Sequence, residues 1–170
     1  MEALQVIRTT FIAEFSDIND ISQLTTITLR LTLAAVLGGL LGYEREQKGK
    51  AAGVRTHMLV SMGSALFVLI PQQAAVPAAD LTRVLQGIVA GIGFLGAGSI
   101  INGNNKEEPR GMTTAAGIWL TAAIGVAAGI GREATALLSA LFALAILALV
   151  PKITGGGEAQ QEATPEPEQS

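Results

Sequence analysis

The sequence predicts an all-α membrane protein, in which an amphipathic N-terminal helix precedes five transmembrane helices. Hydrophobic residues make up 49% of the 170-residue chain and charged residues only 15%, whereas soluble domains carry about 25% charged residues. Apolar runs of roughly the 20 residues that a membrane-spanning helix needs recur along the chain. Almost every charge lies between these runs or near the chain ends. We therefore expect a multi-pass protein that is surrounded by a lipid bilayer.

Residues 1–21 form the predicted amphipathic helix. Apolar side chains recur there at steps of three and four residues, which is the period of one helix face, and charged and amide side chains lie opposite. Such a helix is too polar to span a bilayer and should lie in the membrane interface or pack on the bundle. Its apolar face consists of Leu4, Ile7, Phe11, Phe15 and Ile18.

Residues 22–152 form the predicted transmembrane domain, with Ser22 as the N-cap of its first helix. Pro71 and Pro151 follow the second and fifth apolar runs and are expected to end those helices. Residues 153–170 are rich in Gly, Gln, Pro and Glu. They cannot bury enough apolar surface to fold, which predicts a disordered acidic tail. The five spans cover about residues 24–43, 54–70, 81–101, 112–130 and 134–150.

The distribution of lysine and arginine orients the predicted bundle. These residues favour cytoplasmic loops. Seven of them lie in the first and third loops or after the last span, against two or three on the other side. The N-terminus is therefore predicted to lie outside (N-out), and the tail in the cytoplasm (C-in). The seven are Arg45, Lys48, Lys50, Arg55, Lys106, Arg110 and Lys152.

Arg30 lies about a third of the way into the first span. A charge at that depth costs a few kcal/mol, so such residues usually face the bundle interior and are paired. Glu44 shares its helix stripe, but at 1.5 Å per residue the two side chains start ~21 Å apart and cannot pair within this helix. Two interpretations stay open, a structural arginine that extends to the near interface and a functional intramembrane charge.

Small residues recur at four-residue spacing in several spans, where they let helix backbones approach closely in lipid. The run Gly91-Ile-Gly93-Phe-Leu-Gly96 also matches the G-x-G-x-x-G pattern of dinucleotide-binding folds. That pattern requires a preceding strand and an acidic residue about 20 positions later, so we interpret this run as a packing segment. The residues predicted to pack helices together are Gly38, Gly42, Gly87, Gly91, Gly93, Gly96, Gly98 and Trp119.

Two spans begin on the predicted cytoplasmic side, near His57 and near Met112. Their first backbone N–H groups are unpaired within the helix and point toward the cytoplasm, with the positive end of the helix dipole. Nearby arginines add positive charge, which suits a phosphate, an anionic head group or the carboxylate of a partner. Alternatively, threonines cap these helices and the arginines only follow the positive-inside bias. The predicted binding residues are Glu44, Arg45, Arg55, Thr56, Arg110, Thr113 and Thr114.

Several kinds of chemistry find no support in the sequence. The chain has no cysteine and one histidine, and His57 is expected to be a hydrogen-bonded interfacial residue rather than a ligand. We predict no metal site, no cofactor and no nucleic-acid partner. We also predict no catalytic residue, because no acid pair lies in an apolar pocket that could tune its pKa. Every Asp and Glu lies in a loop, a helix end or the tail, whereas a divalent-cation pathway should place carboxylates at mid-membrane.

Four motifs of this chain closely resemble the MgtC/SapB family of bacterial inner-membrane proteins. The resemblance covers roughly residues 29–150, with Met112 where the family pattern has leucine. Only the predicted tail follows the fifth span, so the chain resembles the short form of the family, which lacks the soluble C-terminal domain of some members. In chain order the motifs are Gly42-Tyr-Glu44-Arg45-Glu46, Gly53-Val-Arg55-Thr56-His57, Gly91-Ile-Gly93-Phe-Leu-Gly96-Ala-Gly98 and Gly111-Met-Thr113-Thr114-Ala-Ala-Gly117-Ile-Trp119.

The resemblance implies a multi-pass inner-membrane protein linked to growth under magnesium limitation and, in pathogens, to survival in host cells. It favours a non-enzymatic regulatory or scaffold role, and modulation of the membrane ATP synthase has been proposed for some members. By motif, the marked positions of the family would be Glu44, Arg45, Arg55, Thr56, Thr113, Thr114 and Trp119.

We therefore expect a cytoplasmic face, built from residues 44–57 and 102–114, that binds a partner or an anionic ligand. The glycine-lined helix faces favour a homo-oligomer, with a dimer as the expected form. The alternative is an ion transporter or channel, for Mg²⁺ above all, in which Arg30 and Glu44 line the path.

Overall fold

A computed structural model describes residues 2–16, 18, 20–101 and 111–154. These residues form six α-helices and no strand, and five of the helices are long and apolar enough to cross a membrane. The predicted all-α fold with five spans after an N-terminal helix is thereby confirmed, while the N-out/C-in orientation stays a prediction. The helices are α1 (Glu2–Glu14), α2 (Ile21–Gln47), α3 (Val54–Gln73), α4 (Ala78–Ile101), α5 (Met112–Gly129) and α6 (Glu133–Ile153).

Helix α2 begins earlier than predicted and extends well beyond the predicted span. Its N-cap is Asp20, whose carboxylate accepts a hydrogen bond from the backbone N–H of Gln23. Ser22, the predicted cap, lies inside the helix, so that prediction is wrong; a carboxylate both satisfies the free N–H and complements the helix dipole. With 27 residues, α2 is ~40 Å long and exceeds the ~30 Å hydrocarbon core of a bilayer. Its last turns, with Glu44 and Arg45, therefore lie beyond the apolar part of the helix.

Two helices continue past the prolines that were expected to end them. Pro71 lies inside α3 and Pro151 inside α6. Only two residues follow each proline within its helix. The backbone donor that each proline lacks is therefore missing only from the last turn, where helices commonly fray.

Helix α5 lies at the centre of the bundle, because it contacts α2, α3, α4 and α6. In contrast, α4 contacts only α3 and α5, and α1 has no buried residue and contacts no other helix of the described chain. The core is formed mostly by small side chains, so the helix backbones can lie close together. Its fully buried members include Ala34, Ala65, Ala128 and Ala136, with Leu37 and Ile124 as larger side chains.

Glycines allow the closest of these contacts. A β carbon on Gly125 of α5 would collide with the backbone carbonyl of Ser61 in α3, and one on Gly38 of α2 would lie 2.5 Å from the carbonyl oxygen of His57. Gly42 and Gly129 meet other helices at similarly short range. The backbones of α2, α3 and α5 thus touch directly, and side chains larger than hydrogen have no room at these positions.

The glycines of α4 are placed differently from what the sequence predicts. A β carbon on Gly87, Gly91, Gly93 or Gly98 would meet no described atom within 4 Å, whereas one on Gly96 would make an ordinary contact with Ala115. The physical reason is that α4 lies at the edge of the bundle and turns only one side toward α5. Within one chain, the packing role predicted for these four glycines is therefore not fulfilled. Trp119 is also half exposed, at 49%.

We predict that Gly125→Ala lowers the free energy of unfolding by about 1–3 kcal/mol, because the added methyl group forces α3 and α5 apart. The matched control is Gly63→Ala in α3, which has open space around its β carbon and should be neutral or slightly stabilising in a helix. Thermal unfolding of the detergent-solubilised monomer measures both effects. Equal stability of the two variants would contradict the close contact at Gly125.

Candidate functional site

Five polar side chains, four of them charged, lie close together where the end of α2 meets the start of α3. We call this group the polar cluster and define it as Glu44, Arg45, Glu46, Lys48 and His57. The course of the chain brings these residues together. Helix α2 continues to Gln47, a short loop reverses the chain direction, and α3 begins at Val54. The reversal uses Gly49, whose φ of +65° is a left-handed conformation that favours glycine.

Glu46 connects the two helices of the polar cluster. Its Oε2 accepts a hydrogen bond of 2.8 Å from the backbone N–H of Val54, which is one of the free donors at the start of α3. Gly53 is the N-cap and provides no side-chain cap bond. A β carbon there would collide with the Glu46 carboxylate. The start of α3 is thus capped by a carboxylate from α2, and not by Thr56.

Glu44 and Lys48 join α2 to α6. They form an ion pair one helical turn apart, and the Lys48 ammonium also donates a hydrogen bond to the carbonyl oxygen of Leu147 in α6. The Glu44 side chain is only 14% exposed. Glu44 therefore lies between the cations Lys48 and Arg45, but neither of its buried carboxylate oxygens has a hydrogen-bond partner among the described residues.

Arg45 is the most deeply buried charge of the described chain, with 3% of its surface exposed. Its Nη1 lies 3.8 Å from Oε2 of Glu44, which is beyond hydrogen-bond range. Its Nε and Nη2 atoms are buried and have no hydrogen-bond acceptor among the described residues. Buried guanidinium donors without an acceptor are costly, so this side chain is a candidate for binding an external group.

His57 lies beside Arg45, on the face of α3 that turns toward α2 and α5. It is 1% exposed, and its Nδ1 is 3.0 Å from the carbonyl oxygen of Gly53. A carbonyl oxygen only accepts, so Nδ1 carries the proton. Nε2 has no partner and points toward Gly117 of α5. Sequence reasoning expected a hydrogen-bonded interfacial histidine and missed its full burial; the signal that could have found it is the glycine pair Gly38 and Gly117 on the facing helices.

The structure separates the remaining predicted binding residues. Arg55 and Thr56 are exposed on the outer side of α3, whereas Thr114 of α5 is buried and Thr113 half-buried. Helix α5 has Gly111 as its N-cap, with φ of +94° and no side-chain cap bond. Threonine caps at both helix starts, the alternative interpretation of these residues, are therefore wrong. Arg110 and residues 102–110 lie outside the described residues.

Arg30 lies at the opposite end of the bundle from the polar cluster. Its Nη1 donates hydrogen bonds to the carbonyl oxygen of Gly129 (3.0 Å) and to Oε1 of Gln72 (3.2 Å). Its Nε lies 3.7 Å from a carboxylate oxygen of Glu133, and a β carbon on Gly131 would collide with the guanidinium. Arg30 thus links the ends of α2, α3, α5 and α6, which supports the structural interpretation.

Between Arg30 and the polar cluster, small buried side chains fill the bundle interior, and they include the hydroxyl residues Ser61 and Thr121 as well as apolar ones. Ala34, Ala65 and Ala128 are completely buried, and Leu37 is 2% exposed. Among the described residues, no three His, Asp or Glu side chains come together in a way that could hold a metal ion. Within the described residues, tightly packed helices thus separate the polar cluster from Arg30.

Comparison with known proteins identifies the group to which this chain is related. The sequence profile of the MgtC family matches residues 31–155. "Protein SrpB" of Synechococcus elongatus is 43% identical over 132 residues, which cover 71% of this chain and 72% of SrpB. "Putative magnesium transporter YhiD" of Escherichia coli K12 is 38% identical over 133 residues, which cover 74% of this chain and 61% of YhiD. "Protein MgtC" of Brucella abortus is 43% identical over 119 residues, which cover 69% of this chain and 48% of that protein.

No solved structure matches this chain. The matched region spans less than two thirds of the length of YhiD and about half of the Brucella protein. The family profile covers most of this chain, including all five candidate spans from the interior of α2 onward. This multi-pass membrane protein belongs to the MgtC family.

Proposed function

We propose that this protein is a non-enzymatic regulatory or scaffold protein of the bacterial inner membrane, and that the polar cluster and the adjoining start of α5 form the face that binds its partner. The observation that carries the proposal is that Glu44 and Arg45 of the polar cluster are largely buried and keep polar atoms without a hydrogen-bond partner among the described residues. The name of the relative YhiD supports a link to magnesium. The inner membrane is supported by the family, whose relatives here are bacterial.

The alternative is transport of Mg²⁺ by this chain itself, and it is favoured by one observation, the printed name of YhiD. Mg²⁺ dehydrates reluctantly and requires an octahedral set of oxygens. The central part of the described bundle offers no carboxylate for that purpose, and Arg30 contacts residues at the ends of three other helices. Regulation of another protein therefore accounts for the charges better than transport does.

The proposed orientation is N-out and C-in, because most lysines and arginines then lie on the cytoplasmic side. The polar cluster faces the cytoplasm in this arrangement. The chain has no cysteine, so a single cysteine at Ser170 reports the side of the tail. Its labelling by an impermeant reagent added outside intact cells would contradict the orientation.

The proposed partners are the surrounding bilayer, a second copy of this chain and another membrane protein, for which the ATP synthase is the candidate suggested by the family. A second copy is supported by the four α4 glycines that no helix of the same chain covers, since small residues at four-residue spacing favour helix association. Cross-linking in membranes that shows only monomers would contradict a dimer. No nucleic-acid partner is proposed for this acidic chain, whose net charge is −3.

We predict that liposomes holding only the purified protein take up Mg²⁺ no faster than empty liposomes, because the interior between Arg30 and Glu44 is closed. The fluorescence of a Mg²⁺-sensitive dye trapped inside the liposomes measures the flux, and a known Mg²⁺ channel is the positive control. Uptake that is lost in Glu44→Gln and in Arg30→Ala would instead establish transport and overturn the proposed function.

We predict that Arg55→Ala abolishes growth support at low Mg²⁺ without lowering the thermal stability of the protein. Arg55 is exposed beside the polar cluster, so its loss removes a contact for a partner and leaves the bundle intact. The matched control is Arg132→Ala, an exposed arginine at the other end of the bundle. Complementation of a bacterium that lacks its own MgtC-family gene measures growth. Full growth of the Arg55→Ala strain would exclude this residue from the partner-binding face.

A further inference from the structure

The proline near the end of α6 deprives one backbone carbonyl of its usual donor. In an α-helix the carbonyl oxygen of each residue accepts a hydrogen bond from the N–H four residues later. For Leu147 that later residue is Pro151, which lies inside α6 and has no N–H. The carbonyl oxygen of Val150, in contrast, accepts from the N–H of Thr154 at 2.9 Å. Leu147 therefore needs a donor from outside its own helix.

Lys48 of α2 supplies this donor. Its ammonium group donates a hydrogen bond to the carbonyl oxygen of Leu147, which lies 99 positions later in the chain. Lys48 is also the C-cap of α2, and its backbone N–H donates to the carbonyl oxygen of Arg45 at 3.2 Å. Its side chain thus starts from a fixed backbone position. A side chain of α2 takes the place of the backbone donor that Pro151 removes from α6.

Glu44 orients the ammonium group of Lys48. The two residues form an ion pair one helical turn apart, with the acid on the N-terminal side, which is the favourable order on a helix. The Glu44 side chain is 14% exposed and that of Lys48 is 38% exposed. Of this pair, Lys48 is therefore the residue that an approaching partner reaches first, and it is also the residue that binds α6.

We propose that Lys48 couples the end of α6 to the polar cluster. It replaces the donor that Pro151 lacks, and it does so while Glu44 holds its ammonium group in place. An acidic group of a partner that takes up Lys48 removes the donor from Leu147 and loosens the last turn of α6. This inference rests on the proposed function, because Lys48 belongs to the polar cluster that forms the partner-binding face.

The test is amide hydrogen exchange of residues 148–154, measured by mass spectrometry on the full chain in detergent. We expect Lys48→Met to speed exchange there by about threefold or more, since one hydrogen bond between α2 and α6 is lost. Glu44→Gln should act in the same direction, because Lys48 loses its ion pair. In a Pro151→Ala background, residue 151 has an N–H that binds the carbonyl of Leu147. Lys48→Met should then leave the exchange rate unchanged.

Pro71→Ala is the matched control background. Pro71 is followed by two residues of α3, as Pro151 is by two residues of α6, but it lies at the other end of the bundle. Lys48→Met should therefore still speed exchange at the end of α6 in this background. Unchanged exchange in Lys48→Met, or equal acceleration with and without Pro151, would overturn the inference. If Glu44→Gln does not fold, the Lys48→Met variants decide alone. A failure here leaves the partner-binding role intact, because growth of the Arg55→Ala strain tests that role separately.

Discussion

Three helices of this bundle approach so closely that only glycine fits where they meet. Gly38 of α2 lies against the backbone of His57, and Gly125 of α5 against that of Ser61 one turn further along α3. In lipid, where apolar side chains gain little by leaving their surroundings, such direct backbone contact is a main source of helix association. At these glycines the backbones of α2, α3 and α5 are in direct contact. Charged groups consequently lie at the two ends of the three-helix contact.

The two ends of the bundle use their arginines in opposite ways. Arg30 donates hydrogen bonds to Gln72 and Gly129, and its Nε lies 3.7 Å from Glu133 without a hydrogen-bond acceptor of its own. Arg45 is more deeply buried but keeps two donors without an acceptor. A buried ion that is fully paired contributes to structure, whereas an incompletely paired one is usually tied to binding or function. Arg30 is the better paired of the two arginines, and this difference supports the proposed partner-binding role of the polar cluster.

The fold class could be predicted from the sequence, because apolar runs of membrane length are recognised without any knowledge of tertiary contacts. The packing partners of the glycines could not be predicted. Four-residue spacing shows that a helix face consists of small residues, but it does not show which helix packs on that face. Gly38 and Gly42 meet α3, whereas Gly87 and Gly91 have the same spacing and face away from the bundle. The hydrogen bond from the Val54 backbone N–H to Glu46 could not be predicted either, because it depends on the geometry of the loop between two helices. The sequence correctly excluded a pairing of Arg30 with Glu44, because the two residues lie too far apart along one helix. It did not reveal the residues that contact Arg30, which lie 42 to 103 positions away in the chain.

Reagent access to Ser61 tests the closed three-helix contact most directly. Ser61 is completely buried, and Ser61→Cys is nearly isosteric in a chain without other cysteines. The closed bundle predicts that this thiol does not react with a small charged methanethiosulfonate from either side, with or without Mg²⁺, while the exposed Gln47→Cys reacts at once. Rapid modification of Ser61→Cys in the folded protein would show that water enters between α2, α3 and α5, and would contradict the closed bundle on which this account of the protein depends.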